Sequence, residues 1–131
     1  MQLASAMREA RKDTLAWIAG LDAAQFDVPQ LATLNPPLWE LGHVGWFQER
    51  WCLRQAPGYP PASESGLQVA PGDSLLADAD RWYDSSAVAH ATRWSLDLPS
   101  IERTRDYLAA VLARSIDQLG RADGSDASLY F

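Results

Sequence analysis

The sequence predicts an all-α protein, a helical bundle built from three long helices. Three observations carry that expectation. Apolar residues recur at spacings of three and four over three separate segments. No stretch alternates apolar and polar residues as a half-buried strand does. Prolines stand at the starts of two of these segments or between them, where a missing N–H is harmless. A length of 131 residues with 47% hydrophobic content suits one domain with a single core.

The first helix is expected from Gln2 to Leu21, on a stripe of Leu3, Met7, Ala10, Thr14, Trp17, Ile18 and Leu21. Ala23 to Asn35 is a connection, pinned to the core by Phe26, Val28 and Leu31. The second helix is expected over Pro36–Arg54, interrupted only by Gly42 and Gly45, whose small size admits close approach of another helix. Gln55 to Ser74 carries four prolines, three glycines and three serines, and reads as a loop of unusual length for a compact domain. Asp78–Ser86 is expected to form a short helix, and Val88–Leu98 is less regular.

The third long helix starts near Pro99-Ser100 and runs through Ile101, Leu108, Val111, Leu112, Ser115, Ile116 and Leu119 to a stop at Gly120. A turn follows, with Ser125 or Asp126 as helix cap before Ala127–Phe131. Three helices with this spacing leave an apolar face uncovered, and a fourth would complete an antiparallel bundle. The chain is expected to end one turn into that fourth helix, so that residues 1–131 form an incomplete bundle domain.

The formal net charge of −6, with its acidic residues scattered, argues against nucleic acid or an anionic membrane surface as partner. No run approaches the ~20 apolar residues of a membrane-spanning helix. The single cysteine, Cys52, excludes an internal disulfide framework and suits a reducing compartment, so the cytoplasm is the expected location. On the second helix Cys52 falls opposite His43, where it is expected to pack as a small hydrophobe.

The chemistry concentrates in the second helix. Trp39, Trp46, Phe47 and Arg50 fall within about 60° of His43 on one helical face. An imidazole among indoles is either a metal ligand or a hydrogen-bonded core histidine, and the only other histidine is His90. Trp39 and Trp46 are core aromatics or the walls of a pocket for a cationic trimethylammonium group. Arg50 is a group near the metal or substrate, or the partner of a carboxylate on a neighbouring helix. Arg93 is a carboxylate anchor, a solvated arginine, or the partner of Asp97; Arg81 has Asp78, Asp80 and Asp84 as neighbours. Glu40 and Glu49 are acceptors for an imidazole or an arginine, or solvated carboxylates, the second being the expectation. The glycines form no phosphate-cradling loop, and no Ser/His/Asp or Cys/His arrangement supports nucleophilic catalysis.

Trp39-Glu40-Leu41-Gly42-His43, followed by Trp46-Phe47-Gln48-Glu49, resembles the Trp-x-x-x-His…Trp-Phe segment of DinB-like domains. More narrowly it is similar to the N-terminal domains of ergothioneine- and ovothiol-type sulfoxide synthases and the related selenoneine synthases. The version Asn35-Pro36-Pro37-Leu38-Trp39-Glu40-Leu41-Gly42-His43 resembles the selenoneine branch most. Asp78–Ser86 and Thr92-Arg93-Trp94…Leu98-Pro99-Ser100 resemble the family too, so the similarity spans most of the chain.

That resemblance implies a DinB-like up-down bundle and places His43 as the first ligand of a mononuclear non-haem iron(II). The two other ligands belong to a His-x-x-x-His motif on the fourth helix, expected beyond Phe131, so this chain alone is expected to hold little or no metal. It further implies an O2-dependent enzyme that joins sulfur or selenium to the imidazole carbon of a histidine derivative such as hercynine. The partners implied are a histidine betaine, a thiol or selenol donor, and the C-terminal part of the same protein. Arg93 would hold a substrate carboxylate, while Trp39, Trp46 and Arg50 shape the pocket. Two alternatives stay open: a non-catalytic helical module completed by a homodimer mate or partner, and a stand-alone DinB-like metal-dependent thiol transferase.

Overall fold

The computed structural model describes residues 2–54 and 74–121. They form helices α1 (Gln2–Ala19), α2 (Pro37–Gln48), α3 (Ala79–Tyr83) and α4 (Ile101–Arg121). Short 3-10 turns occur at Ala23–Phe26 and His90–Trp94, and a π-helical turn, Glu49–Leu53, continues α2. No strand occurs among the described residues. The long loop expected over 55–74, apart from Ser74, and the expected start of a fourth helix lie outside the described residues.

Local chemistry sets the element ends. A capping box closes the turn after α1: the Asp22 carboxylate accepts from the Gln25 N–H at 3.0 Å, and the Gln25 side chain accepts from the Asp22 N–H at 2.9 Å. Pro36 and Pro37 open α2. At its far end the Arg54 N–H reaches back five residues to the Glu49 carbonyl at 2.9 Å, widening the last turn. The expected second helix is therefore continuous to Leu53, with its final turn wound as a π-turn that leaves Glu49 fully buried.

α2 lies at the centre, packed against α3 and α4, while α1 packs against α4. Trp39, Leu41 and Trp46 of α2 meet Leu76, Ala79 and Tyr83 around α3, and Tyr107, Leu108 and Val111 of α4. Gly45 makes the α2–α4 approach close, since a Cβ there would stand 3.0 Å from the Leu108 Cδ1. Core burial of this kind contributes about 25 cal/mol per Å² of apolar surface.

Leu31, expected to pin the connection after α1 to the core, is 51% exposed, and three further details differ from the sequence expectation. α1 turns a different face inward: Trp17 is 85% exposed and Leu3 59%, whereas Arg11 is buried on the Met7–Arg11–Ile18 side. Gly120 lies inside α4, which continues to Arg121. Cys52, expected to pack as a small hydrophobe, is exposed, while Leu53 beside it continues the buried Trp46–Glu49 side. No helix among the described residues is long and apolar enough to cross a membrane.

Candidate functional site

Three ring N–H groups on one face of α2, one turn apart, reach across to α3. The Trp39 indole donates to the Trp82 carbonyl at 2.7 Å. His43 Nδ1 lies 2.8 Å from the Tyr83 carbonyl. The Trp46 indole donates to the Asp80 carboxylate at 2.7 Å. A carbonyl can only accept, so the Nδ1 of His43 carries a proton, and in the neutral ring Nε2 is then the nitrogen with the lone pair. That is the state in which a histidine ligates a metal, with its second nitrogen fixed by a backbone acceptor.

The rings form a stack. Trp39 lies nearly parallel to His43, 11° off at 4.7 Å between centroids, and Trp46 stands 5.8 Å away on a 24° tilt. On Trp39 the Arg93 guanidinium sits 4.0 Å from the ring centroid, a cation–π contact. Arg93 also donates to the Asn35 side chain at 2.8 Å, while its Nε is buried with no hydrogen-bond partner. Asn35 in turn donates to Glu40. Of the alternatives for Arg93, neither a solvated side chain nor a pairing with Asp97 is found; it takes this Trp39–Asn35 seat.

Asp80 fastens α3 from the other side. Arg54 meets it with two hydrogen bonds of 2.5 and 2.9 Å. That bidentate pairing holds the Asp80 carboxyl below its ordinary value of 3.8 against the opposite pull of partial burial, with Trp46 and the charge of Arg50 adding to it. Arg50 is half-buried and its charge also helps lower Asp84, whose chief cause is the Ser86 hydroxyl. Arg81 pairs at the surface with Asp78 at 3.6 Å.

The sequence-expected residues thus divide. Trp39, His43, Trp46 and Arg93 come together in one stack, and Arg50 stands on the Asp80–Asp84 side. Trp39 is 1% exposed and Trp46 5%, so both rings are structural walls of His43. Phe47, 6.0 Å from His43, and Trp51 beyond it are the half-exposed aromatics on this helix. His90 is tied elsewhere, 2.6 Å from the Leu34 carbonyl and edge-on to Trp94. Among the described residues no three His, Cys, Asp or Glu side chains converge to hold a metal ion. Among the described residues the stack thus offers one histidine nitrogen and no complete metal site.

Two buried polar clusters beside the stack escaped the sequence reading. Glu49, expected in solvent, is fully buried and accepts from Tyr107 at 2.6 Å, Ser74 at 2.5 Å and the Leu75 N–H at 2.6 Å. Arg11 donates at 2.5 Å to Gln48, which donates on to Ser115 at 2.8 Å. The signal for Arg11 was there in its spacing, four residues from Met7 and seven from Ile18. Glu49 likewise falls on the buried stripe by spacing, three residues from Trp46 and four from Gly45.

The sequence profile of the DinB superfamily matches residues 6–130. The hercynine oxygenase of Mycolicibacterium smegmatis is 30% identical over 129 residues, 98% of this chain and 27% of that protein. The hercynine oxygenase of Mycobacterium tuberculosis is 29% identical over 134 residues, 99% of this chain and 28% of its own. The chain thus spans just over a quarter of the length of the curated relatives it matches.

Proposed function

The chain belongs to the DinB superfamily, and on that premise we propose that it acts as a helical domain of a non-haem iron(II), O2-dependent enzyme. The substrate class is a histidine betaine such as hercynine, and the reaction joins sulfur or selenium from a thiol or selenol donor to its imidazole carbon. Similarity over nearly the whole chain to relatives named hercynine oxygenase supports the substrate class. The observation that carries the metal role is the Nδ1–H of His43 held by the Tyr83 carbonyl, which leaves Nε2 as a ligand atom.

In this reading iron(II), when bound, supplies the oxygen chemistry that side chains cannot. His43 provides one ligand, and the others come from outside the described residues. Trp39 and Trp46 hold the imidazole plane and exclude water from it. Arg93 is the proposed anchor of a substrate carboxylate, its planar guanidinium already oriented by Trp39 and Asn35. Arg50 adds positive charge on the α3 side. The selenoneine branch, the cytoplasmic location and the rest of the same polypeptide as partner belong to this proposal.

The test is made on the full-length protein. Fe(II) binding, O2 uptake and product mass are followed with hercynine and either a thiol or a selenol donor. The expected result is a stoichiometric Fe(II) site and a product mass that reports which donor is used. His43→Ala should weaken Fe(II) binding by a factor of at least about 100. Unchanged binding would remove His43 from the metal.

A second reading is favoured by one observation. An apolar groove of about 330 Å³ runs between α1 and α2, lined by Trp17, Ile18, Pro37, Leu41 and Val44 with Asp13 and Glu40 at its polar edge. A helical module covered by its own dimer mate or a partner would use such a surface, and an apparent mass of twice the chain's at micromolar concentration would support it.

A further inference from the structure

We propose that Tyr83 and Gly42 are positioning residues that fix the tautomer of His43 and so select Nε2 as its ligating atom. The proposal deepens the metal role given to His43 and rests on that reading. It begins with Gly42, one residue before the histidine on α2. A Cβ at this position would overlap the Tyr83 ring at Cζ, Cε1 and the hydroxyl, so the ring lies directly on the bare helix backbone. Tyr83 is fully buried there. Seated in that way, the ring draws its own backbone carbonyl to 2.8 Å from His43 Nδ1.

The rest of α3 is held so that this carbonyl has little freedom. Its neighbour, the Trp82 carbonyl, accepts from Trp39, and Asp80 is clasped by Trp46 and Arg54. Asp78, which precedes α3, adopts a left-handed backbone with φ 65°, a conformation Asp tolerates better than most side chains. Five residues are thus pinned at three points by one face of α2. A five-residue helix has little stability of its own. These contacts, with Tyr83 over Gly42 at the centre, are what aim the carbonyl.

The consequence is chemical. An unrestrained neutral imidazole carries its proton on either nitrogen, whereas a fixed acceptor at Nδ1 commits the proton there. The Tyr83 hydroxyl has no part in this; the ring's volume and the main-chain oxygen do the positioning. Gly42→Ala forces the ring off the helix and moves the carbonyl away, and Tyr83→Leu leaves the seat half-filled. Tyr83→Phe keeps both ring and carbonyl.

The experiment is long-range 15N–1H NMR of the His43 ring in the metal-free full-length protein, with helicity followed by circular dichroism. The wild type and Tyr83→Phe should show a protonated Nδ1 and a bare Nε2. Gly42→Ala and Tyr83→Leu should shift the ring toward the Nε2–H form, and Co(II) titration should show affinity lowered about 10- to 100-fold. An Nε2–H ring in the wild type, or an unchanged tautomer in both substituted proteins, overturns the proposal. Tyr83→Leu keeps it testable should Gly42→Ala fail to fold. If the tautomer shifts as expected while no protein binds Co(II) or Fe(II), the positioning stands and the metal role of His43 falls.

Discussion

A carboxylate with no exposed surface persists only by collecting donors, and Glu49 collects the Tyr107 and Ser74 hydroxyls and the Leu75 N–H. Removing the acceptor strands donors that were desolvated on its account. Glu49→Ala is expected to lower stability by about 3 kcal/mol, measured as a reduced urea midpoint with unchanged slope. Single residues also mark where sequence reading stops. His43 was legible because a histidine inside an aromatic helix is rare enough to single out. Arg11 was overlooked although its spacing from Met7 and Ile18 puts it on the inward face, because Arg8, Glu9, Lys12 and Asp13 around it read as a solvated run. Asn35 could not be found either. Its bridge between Arg93 and Glu40 joins a connection, a helix and a distant turn.

At the scale of elements, α3 depends on what holds it. Asp80 ties it to Arg54 and Trp46, and its carboxyl titrates below the ordinary 3.8. The folded state therefore keeps this group ionised where the unfolded chain has begun to protonate. Its contribution is fully present above pH 4 and is lost as pH falls through the lowered value. Asp80→Asn should lower the urea midpoint at pH 7 and flatten its decline below pH 4. An acid limb as steep as in the wild type would show that other carboxylates dominate. The sequence located this element well, expecting a short helix over Asp78–Ser86 where Ala79–Tyr83 is found. What it concealed was the role, because the acceptors for Trp39 and His43 are main-chain carbonyls that no residue type announces.

For the whole molecule, the helical class and the three long segments were readable because their apolar spacing reports the same bundle at every step. The phase of α1 was misread, since Trp17 fits the stripe by spacing yet stands 85% exposed beside the groove. Which of two adjacent stripes turns inward depends on neighbours that a single helix pattern does not contain. Global stability should carry the mark of one core group. Burial pushes the Tyr83 hydroxyl up to about 12 from 10, against the smaller opposite effect of Thr104. Below pH 10 both states are protonated and stability is whole; between 10 and 12 only the unfolded chain ionises, and stability falls as pH rises. Tyr83→Phe should make that alkaline decline shallower in urea titrations at pH 9 to 12.

The stack of Trp39 against His43 has an optical consequence. An indole 4.7 Å from an imidazole and screened from solvent emits at short wavelength, and its yield depends on the electronic state of its neighbour. Trp17, open to water on the opposite side of α2, emits further to the red and is indifferent to that neighbour. With Trp46 also stacked on His43 and Trp51 half-exposed, two of the six tryptophans fall in each class. Occupancy of His43 can be followed as a change in the ratio of blue to red emission, with no label added.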